Sequence, residues 1–217
     1  MMIHGDPEFV LTLHSVIEFI GTFAFALSGI RLAASKHYDW LGGFVCGVAV
    51  AIGGGTIRDV MLGVRPFWML SPIYLICTLF AQLVVIACHR YLKRLDNTWF
   101  LFDTLGLALF NIAGIQKSLE CGFSFWVAII MGCITGAAGG VIRDVLLNEE
   151  PVIFRKEIYA MACVVGGTFY WMCHLLGMES FVCQIVGGVT VFVTRILAVK
   201  YRICLPILSG NEEEQEG

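Results

Sequence analysis

One decapeptide occurs twice. Gly53-Gly54-Gly55-Thr56-Ile57-Arg58-Asp59-Val60-Met61-Leu62 returns later in the chain, aligned without a gap, as Ala138-Gly139-Gly140-Val141-Ile142-Arg143-Asp144-Val145-Leu146-Leu147. Between positions 47 and 62, 8 of 16 residues are identical at this offset. The register extends outward through Gly21/Gly106, Phe25/Phe110, Gly29/Gly114, Ile30/Ile115, Pro66/Pro151, Tyr74/Tyr159, Cys88/Cys173 and His89/His174, and sets Glu18 opposite Asp103. The chain is therefore a duplicated unit, and any fold it adopts must place two copies of an Arg-Asp pair that sits inside apolar sequence.

How apolar that sequence is decides the class. Hydrophobic residues make up 58% of the 217, and charged residues only 14%, too little polar surface for a water-soluble globule. A helix needs roughly 20 largely apolar residues to cross a bilayer, and seven windows qualify: roughly 10–30, 41–64, 71–89, 99–116, 124–147, 158–177 and 181–199. The short alternating segments of a membrane barrel are not found, so the expected fold is an all-α integral membrane protein. Each copy of the repeat holds three windows, an odd number, so the second must enter the membrane from the opposite side. The expected organisation is an N-terminal segment 1–9, a first three-helix repeat 10–92, an inverted repeat 93–178, a seventh helix 179–203 and an acidic tail 204–217. Inverted repeats are the usual frame of transport proteins, with the pathway near the midplane where the repeats meet.

Basic residues give the orientation. Arg31, Lys36, Arg90, Lys93, Arg94, Arg155, Lys156, Lys200 and Arg202 fall on one side, nine against Arg65 and Lys117 on the other. By the positive-inside rule the N-terminus is expected outside and the C-terminus in the cytoplasm, in a cell (inner) membrane. The first window lacks the basic leader of a signal peptide and is expected to stay in the protein. Net charge is −3, partly from the tail Glu212-Glu213-Glu214-Gln215-Glu216, so nucleic acid is not an expected partner. Nine cysteines without a C-x-x-C pair read as small buried residues. Trp40, Trp68, Trp99 and Trp126 near window ends read as interfacial anchors, and Arg195, near the end of the last window, is expected to snorkel to the surface.

Within the repeated element, consecutive glycines invite a kink or an unwound turn, or else allow two helices to pack closely. Thr56 and Asp59 have the spacing of a helix start, which predicts a second half-helix beginning near Thr56; Val141 removes that cap from the other copy. Adjacent helix positions point about 100° apart, so the expected pairing is across the pseudo-two-fold, Arg58 with Asp144 and Arg143 with Asp59. Ionisable groups inside a membrane usually face an aqueous pathway. A purely structural set of ion pairs is the alternative. Glu18, with His14 one turn earlier, could attract cations or be satisfied by its neighbours, and Asp103 could do the same or simply lie at the interface. Sequences for nucleophile elbows, zinc proteases and P-loops are lacking, so no enzyme is expected, nor any cofactor or tightly bound metal.

These duplicated glycine-Arg-Asp strings resemble the prokaryotic branch of the trimeric intracellular cation channel family, over about residues 10 to 200. The resemblance implies a homotrimer with one pore per protomer, flanked by kinked second and fifth spans and passing monovalent cations such as potassium, with sodium a second ion. The kink carries over to Gly53, Gly54, Gly55, Gly139 and Gly140, while Ala138 departs from a full triple glycine. The lysine motif with which animal members bind lipid is not found here. Related bacterial sequences are also described as a glycine transporter family, so two mechanisms stay open. In a channel, Ser28 and Thr135 join freed backbone groups along the path, and Arg58 and Arg143 are neutralised by carboxylates or act as a gate. In a carrier, the helix start near Thr56 and the two arginines bind the carboxylate of a small amino acid, and Asp59 or Asp144 its ammonium group.

Overall fold

A computed structural model describes residues 7–88, 98–154 and 158–203, with side chains described from Ser15 onward and, in the second repeat, from Trp99. Eight α-helices are found among these residues: α1 Pro7–Ser35, α2 Trp40–Met61, the single turn α3 Phe67–Leu70, α4 Ile73–Ala87, α5 Thr98–Glu120, α6 Phe125–Leu146, α7 Ala160–Leu175 and α8 Ser180–Lys200, with a 3-10 turn Val152–Phe154 between α6 and α7. The duplication is visible element by element. Helices α1, α2 and α4 form the first unit and α5, α6 and α7 the second, and the 3-10 turn takes the place in the second that α3 has in the first. The acidic tail, His14 as a side chain, and Arg90, Lys93, Arg94, Arg155 and Lys156 lie outside the described residues.

Chain punctuation repeats as well. Beyond α2, Gly63 takes φ 71° and beyond α6, Asn148 takes φ 53°, the left-handed conformation that glycine and asparagine tolerate best. In each copy an amide reaches back across this residue, Val64 N to Asp59 O at 2.9 Å and Glu149 N to Asp144 O at 2.8 Å. Both helices thus stop within a turn of their Arg-Asp pair. After that stop the chain doubles back through Pro66 or Pro151 before the third helix begins. As a result α4 and α7 hold only 15 and 16 residues. Five helices are long and apolar enough to span a membrane, whereas these two are apolar but shorter; the expected windows 71–89 and 158–177 are only partly helical because their first residues belong to the return.

The two units meet about a pseudo-two-fold axis. Phe25 of α1 stacks on Phe110 of α5, its own repeat partner, with ring centroids 5.3 Å apart and planes within 8°. Each ring lies over the other unit's glycine: a methyl group on Gly21 would touch Phe110 at 3.1 Å, and one on Gly106 would overlap Phe25. Elsewhere in the same seam α2 and α6 cross backbone on backbone. A Cβ on Gly54 would overlap the carbonyl oxygen of Thr135, and one on Gly139 would come within 2.7 Å of Val50 O. Val50 against Gly139 and Gly54 against Thr135 pair a rising with a falling residue number, so the helices are antiparallel, as inverted repeats require. The surface around this seam is apolar, with Val45, Val60, Ile76, Leu79, Phe80, Ile130, Val145 and Phe169 all exposed, which suits a surface facing lipid.

Gly43 offers a contrast to Gly54, since its added methyl would meet nothing closer than Ile30 at 4.0 Å. We expect Gly54→Ala to destabilise the protein by about 1–3 kcal/mol, the usual range for overpacking, and Gly43→Ala to be neutral or stabilising by up to about 1 kcal/mol. Thermal unfolding in detergent measures both. Equal melting temperatures for Gly54→Ala and the parent would mean that the backbones are not in contact.

Candidate functional site

Either side of the glycine crossing lies a buried cluster built around one arginine. In the first, Arg58 Nε donates to Asp59 Oδ1 at 2.7 Å and Nη2 to Glu18 Oε1 at 2.9 Å. Asp59 Oδ2 accepts from the Phe67 backbone N–H at 2.8 Å, and the Tyr74 hydroxyl donates to Glu18 Oε2 at 3.2 Å. The second cluster repeats the arrangement at the equivalent positions. Arg143 Nε donates to Asp144 Oδ1 at 2.8 Å and Nη1 to Asp103 Oδ1 at 2.5 Å; Asp144 Oδ2 accepts from Val152 N–H at 2.9 Å, and the Tyr159 hydroxyl contacts Asp103 Oδ1 at 3.4 Å. Both arginines are 0% exposed.

Local structure explains why these groups meet. The stop after α2 and α6 turns the chain so that an amide at the start of α3, or of the 3-10 turn, points at the Asp carboxylate. α1 or α5 brings the second carboxylate from the side, and the start of the third helix supplies tyrosine. Glycines make room: a methyl on Gly140 would lie 2.5 Å from the Tyr159 hydroxyl, and one on Gly55 would overlap the Phe67 ring. An arginine cannot shed its charge, and a buried guanidinium left without its partners costs several kcal/mol. Two carboxylates touch each one here.

Several expectations change. The pairs are not crossed: Arg58 bonds its own neighbour Asp59, and Arg143 its neighbour Asp144. The antiparallel crossing is the reason: it is centred between the Val50–Gly139 and Gly54–Thr135 contacts, and each arginine lies more than one helical turn beyond that centre in opposite directions, which at 1.5 Å per residue separates them by about 18 Å along the axis. The long arginine side chain also spans the angle between adjacent positions that argues against a neighbour pair. No half-helix starts at Thr56. α2 runs unbroken from Trp40 to Met61, and the Thr56 hydroxyl donates to Ile52 O at 2.7 Å while accepting from Trp68 Nε1 at 3.0 Å. Thr135 likewise bonds back to Met131 O. Arg195 does not snorkel: it is 1% exposed, with its guanidinium carbon 4.9 Å from the Tyr159 ring centroid and 5.1 Å from that of Phe100. Trp99 turns inward under Arg143, at 5.3 Å, whereas Trp40 and Trp126 are exposed. Asp103 is buried at 0% exposure.

The copies also differ. Ser28 Oγ accepts from Arg143 Nη1 at 2.8 Å. Its repeat partner is Ala113, which cannot accept, so Arg58 lacks this hydroxyl contact; one terminal nitrogen of each arginine, Arg58 Nη1 and Arg143 Nη2, has no hydrogen-bond partner. Tyr74 and Tyr159 escape assignment from sequence although they keep the register of the repeat, the signal that would find them. Among the described residues no group of three or more His, Cys, Asp or Glu is arranged to hold a metal ion.

This twofold geometry agrees with what the chain resembles. A family model described as "Glycine transporter" matches twice, at residues 15–90 and 100–175, one match per unit. A membrane protein of Vibrio cholerae, designated UPF0126, is 38% identical over 93% of this chain and 86% of its own length. The inner membrane protein YadS of Escherichia coli K12, of the same designation, is 36% identical over 90% and 96%. Among solved structures, the trimeric intracellular cation channel (TRIC) orthologue from Rhodobacter sphaeroides superposes with a TM-score of 0.84 at 29% identity, covering 88% of this chain and 100% of that one. A second TRIC cation channel gives 0.81 at 32% identity over 92% and 98%. The chain belongs to this glycine transporter family of multi-pass membrane proteins, also designated UPF0126, and shares the fold of the TRIC cation channels.

Proposed function

We propose that the protein is a cation channel, with potassium as the principal ion and sodium a second, and that each protomer of a homotrimer carries its own pathway beside the α2/α6 crossing. The observation that carries this reading is the pair of buried arginine–carboxylate clusters on either side of the glycine seam, in a fold shared with cation channels. Bare arginines would repel a cation. Each of the two repeated arginines touches two carboxylates, which cancels its charge and leaves carboxylate oxygen to favour cations. Gly53, Gly54, Gly55, Gly139 and Gly140 form the waist, where backbones approach without intervening side chains and can flex. Ser28, Thr56, Thr135 and Glu18 supply the polar groups along it, and Arg58, Asp59, Arg143 and Asp144 the fixed charges. The N-terminus lies outside and the C-terminus in the cytoplasm of the inner membrane.

A carrier of a small amino acid is the second reading, and the family's description favours it. Two features of the site weigh against it. The expected anion site at a half-helix N-terminus near Thr56 does not exist, since α2 is continuous there. Moreover, Arg58 and Arg143 hold the chain's own carboxylates, leaving little of either guanidinium for a substrate's.

Purified protein in planar bilayers should give unitary potassium currents that rise with voltage without saturating in the manner of a carrier. Silence at all voltages, with saturable glycine uptake into proteoliposomes, would overturn the channel in favour of the carrier. A second prediction concerns the charge cancellation itself. Arg143→Gln strands Asp103 and Asp144 and should cost about 3–5 kcal/mol of stability, while Arg143→Gln combined with Asp103→Asn should recover about 1–2 kcal/mol of that loss through their coupling. Additive losses in thermal unfolding would show that the two side chains do not act as a pair.

A further inference from the structure

The loop between α1 and α2, which belongs to the first unit, is tied to the turn after α6, which belongs to the second. Tyr38 donates its hydroxyl to Leu146 O at 3.1 Å, and Lys36 Nζ lies 2.5 Å from Glu149 Oε1. Leu146 is the last residue of α6, so its carbonyl is one of those that a helix end leaves without an intrahelical donor. Tyr38 supplies that donor from the opposite unit. Because α2 and α6 are antiparallel, the corresponding segments at the other membrane face are the loop between α5 and α6 and the turn after α2. Their backbone is the same: His37 and Gly122 both take left-handed φ, 61° and 83°, and Tyr38 N and Phe123 N reach back to Ala33 O and Ser118 O at 3.2 and 3.1 Å. Their side chains are not. Cys121 stands for Lys36, Phe123 for Tyr38 and Val64 for Glu149. Phenylalanine has no hydroxyl to give and valine no charge, so these residues cannot build the same tie. An exposed ion pair alone contributes little, but here it shares one loop with a hydrogen bond and both hold one helix end.

We propose that Lys36 and Tyr38 form a one-sided latch: they hold the two units together at the face of the α1–α2 loop, so that the units part, and the pathway opens, at the opposite face beside the end of α2. The gating role rests on the channel reading; the latch does not. Inverted repeats move largely by rocking one repeat against the other, and the backbone contact of Gly54 and Gly139 is a pivot between them. A tie at one end of that pivot makes the two faces unequal. With the C-terminus in the cytoplasm, the latched face is the cytoplasmic one.

Amide hydrogen exchange reports local opening, and in lipid nanodiscs the terminal turns of α6 and α2 are read in the same molecule. Lys36→Ala combined with Tyr38→Phe should speed exchange at the end of α6 about fivefold and leave the end of α2 unchanged. No change at α6, or an equal change at both ends, overturns the latch. A second measurement locks each face with a reducible bis-thiosulfonate cross-linker, the joined peptides being identified by mass spectrometry. Val64→Cys is joined to the native Cys121 on one face; on the other, Lys36→Cys is joined to Glu149→Cys in a Cys121→Ser background. Locking at Val64 should abolish the potassium current in planar bilayers, with recovery on reduction, whereas locking at Lys36 should leave it unchanged. A current that survives the lock at Val64, or is lost with the lock at Lys36, overturns the gating role. A parent protein that passes no current overturns the channel reading together with that role, while the exchange result still decides the latch.

Discussion

A guanidinium ion in the middle of a membrane protein governs the rest of this structure. Arg58 and Arg143 cannot be neutralised by losing a proton, so their surroundings must supply the opposite charge and fill the fork of donors. Much of the local architecture follows from that demand. α2 and α6 end within a turn of the arginine so that the returning chain can offer an amide to the neighbouring aspartate. The third helix is shortened by that return. α1 and α5 bury a carboxylate deep in an apolar span because the arginine is there to receive it. The glycines next to each arginine are needed for the same reason, since Tyr159 and the Phe67 ring occupy the space a side chain would take.

The duplication, the helical class and the inverted arrangement were legible in sequence because they rest on periodic or collinear signals: apolar length, a constant offset between the copies, and an odd number of spans in each. Charge pairing was not. Expecting Arg58 to reach Asp144 uses the symmetry correctly but lacks the height at which α2 and α6 cross, a quantity set by packing at Gly54 and Gly139 and not written in spacing. Thr56 misleads for a related reason. Threonine three positions before an acid suits a helix start, yet in a membrane the same hydroxyl can bond to the carbonyl one turn back and leave the helix continuous. The position of Arg195 depends on which face of α8 meets α7, which hydropathy alone does not report. By contrast Glu18 opposite Asp103 and Tyr74 opposite Tyr159 are present in the register, and their shared offset is what assembles the two clusters.

The copies have not stayed equal. Ser28 serves Arg143, and Ala113 in the equivalent place gives Arg58 nothing to bond; α8 adds Arg195 to the second cluster. Asn148 fulfils in one unit the left-handed role that Gly63 fulfils in the other. Backbone geometry is therefore held more tightly between the units than side-chain chemistry is, as expected where the seam consists of main-chain contacts and the chemistry lies to either side of it.

The stack of Phe25 on Phe110, with each ring over the other's glycine, is an interface that a unit makes with its own likeness. Such isologous contact is the signature of two-fold symmetric pairs. A lone three-helix unit carrying this surface would find its complement only in a second unit inserted upside down in the same membrane. Joining the two in one polypeptide fixes their opposed orientations covalently, and an even number of helices in either half would have prevented it.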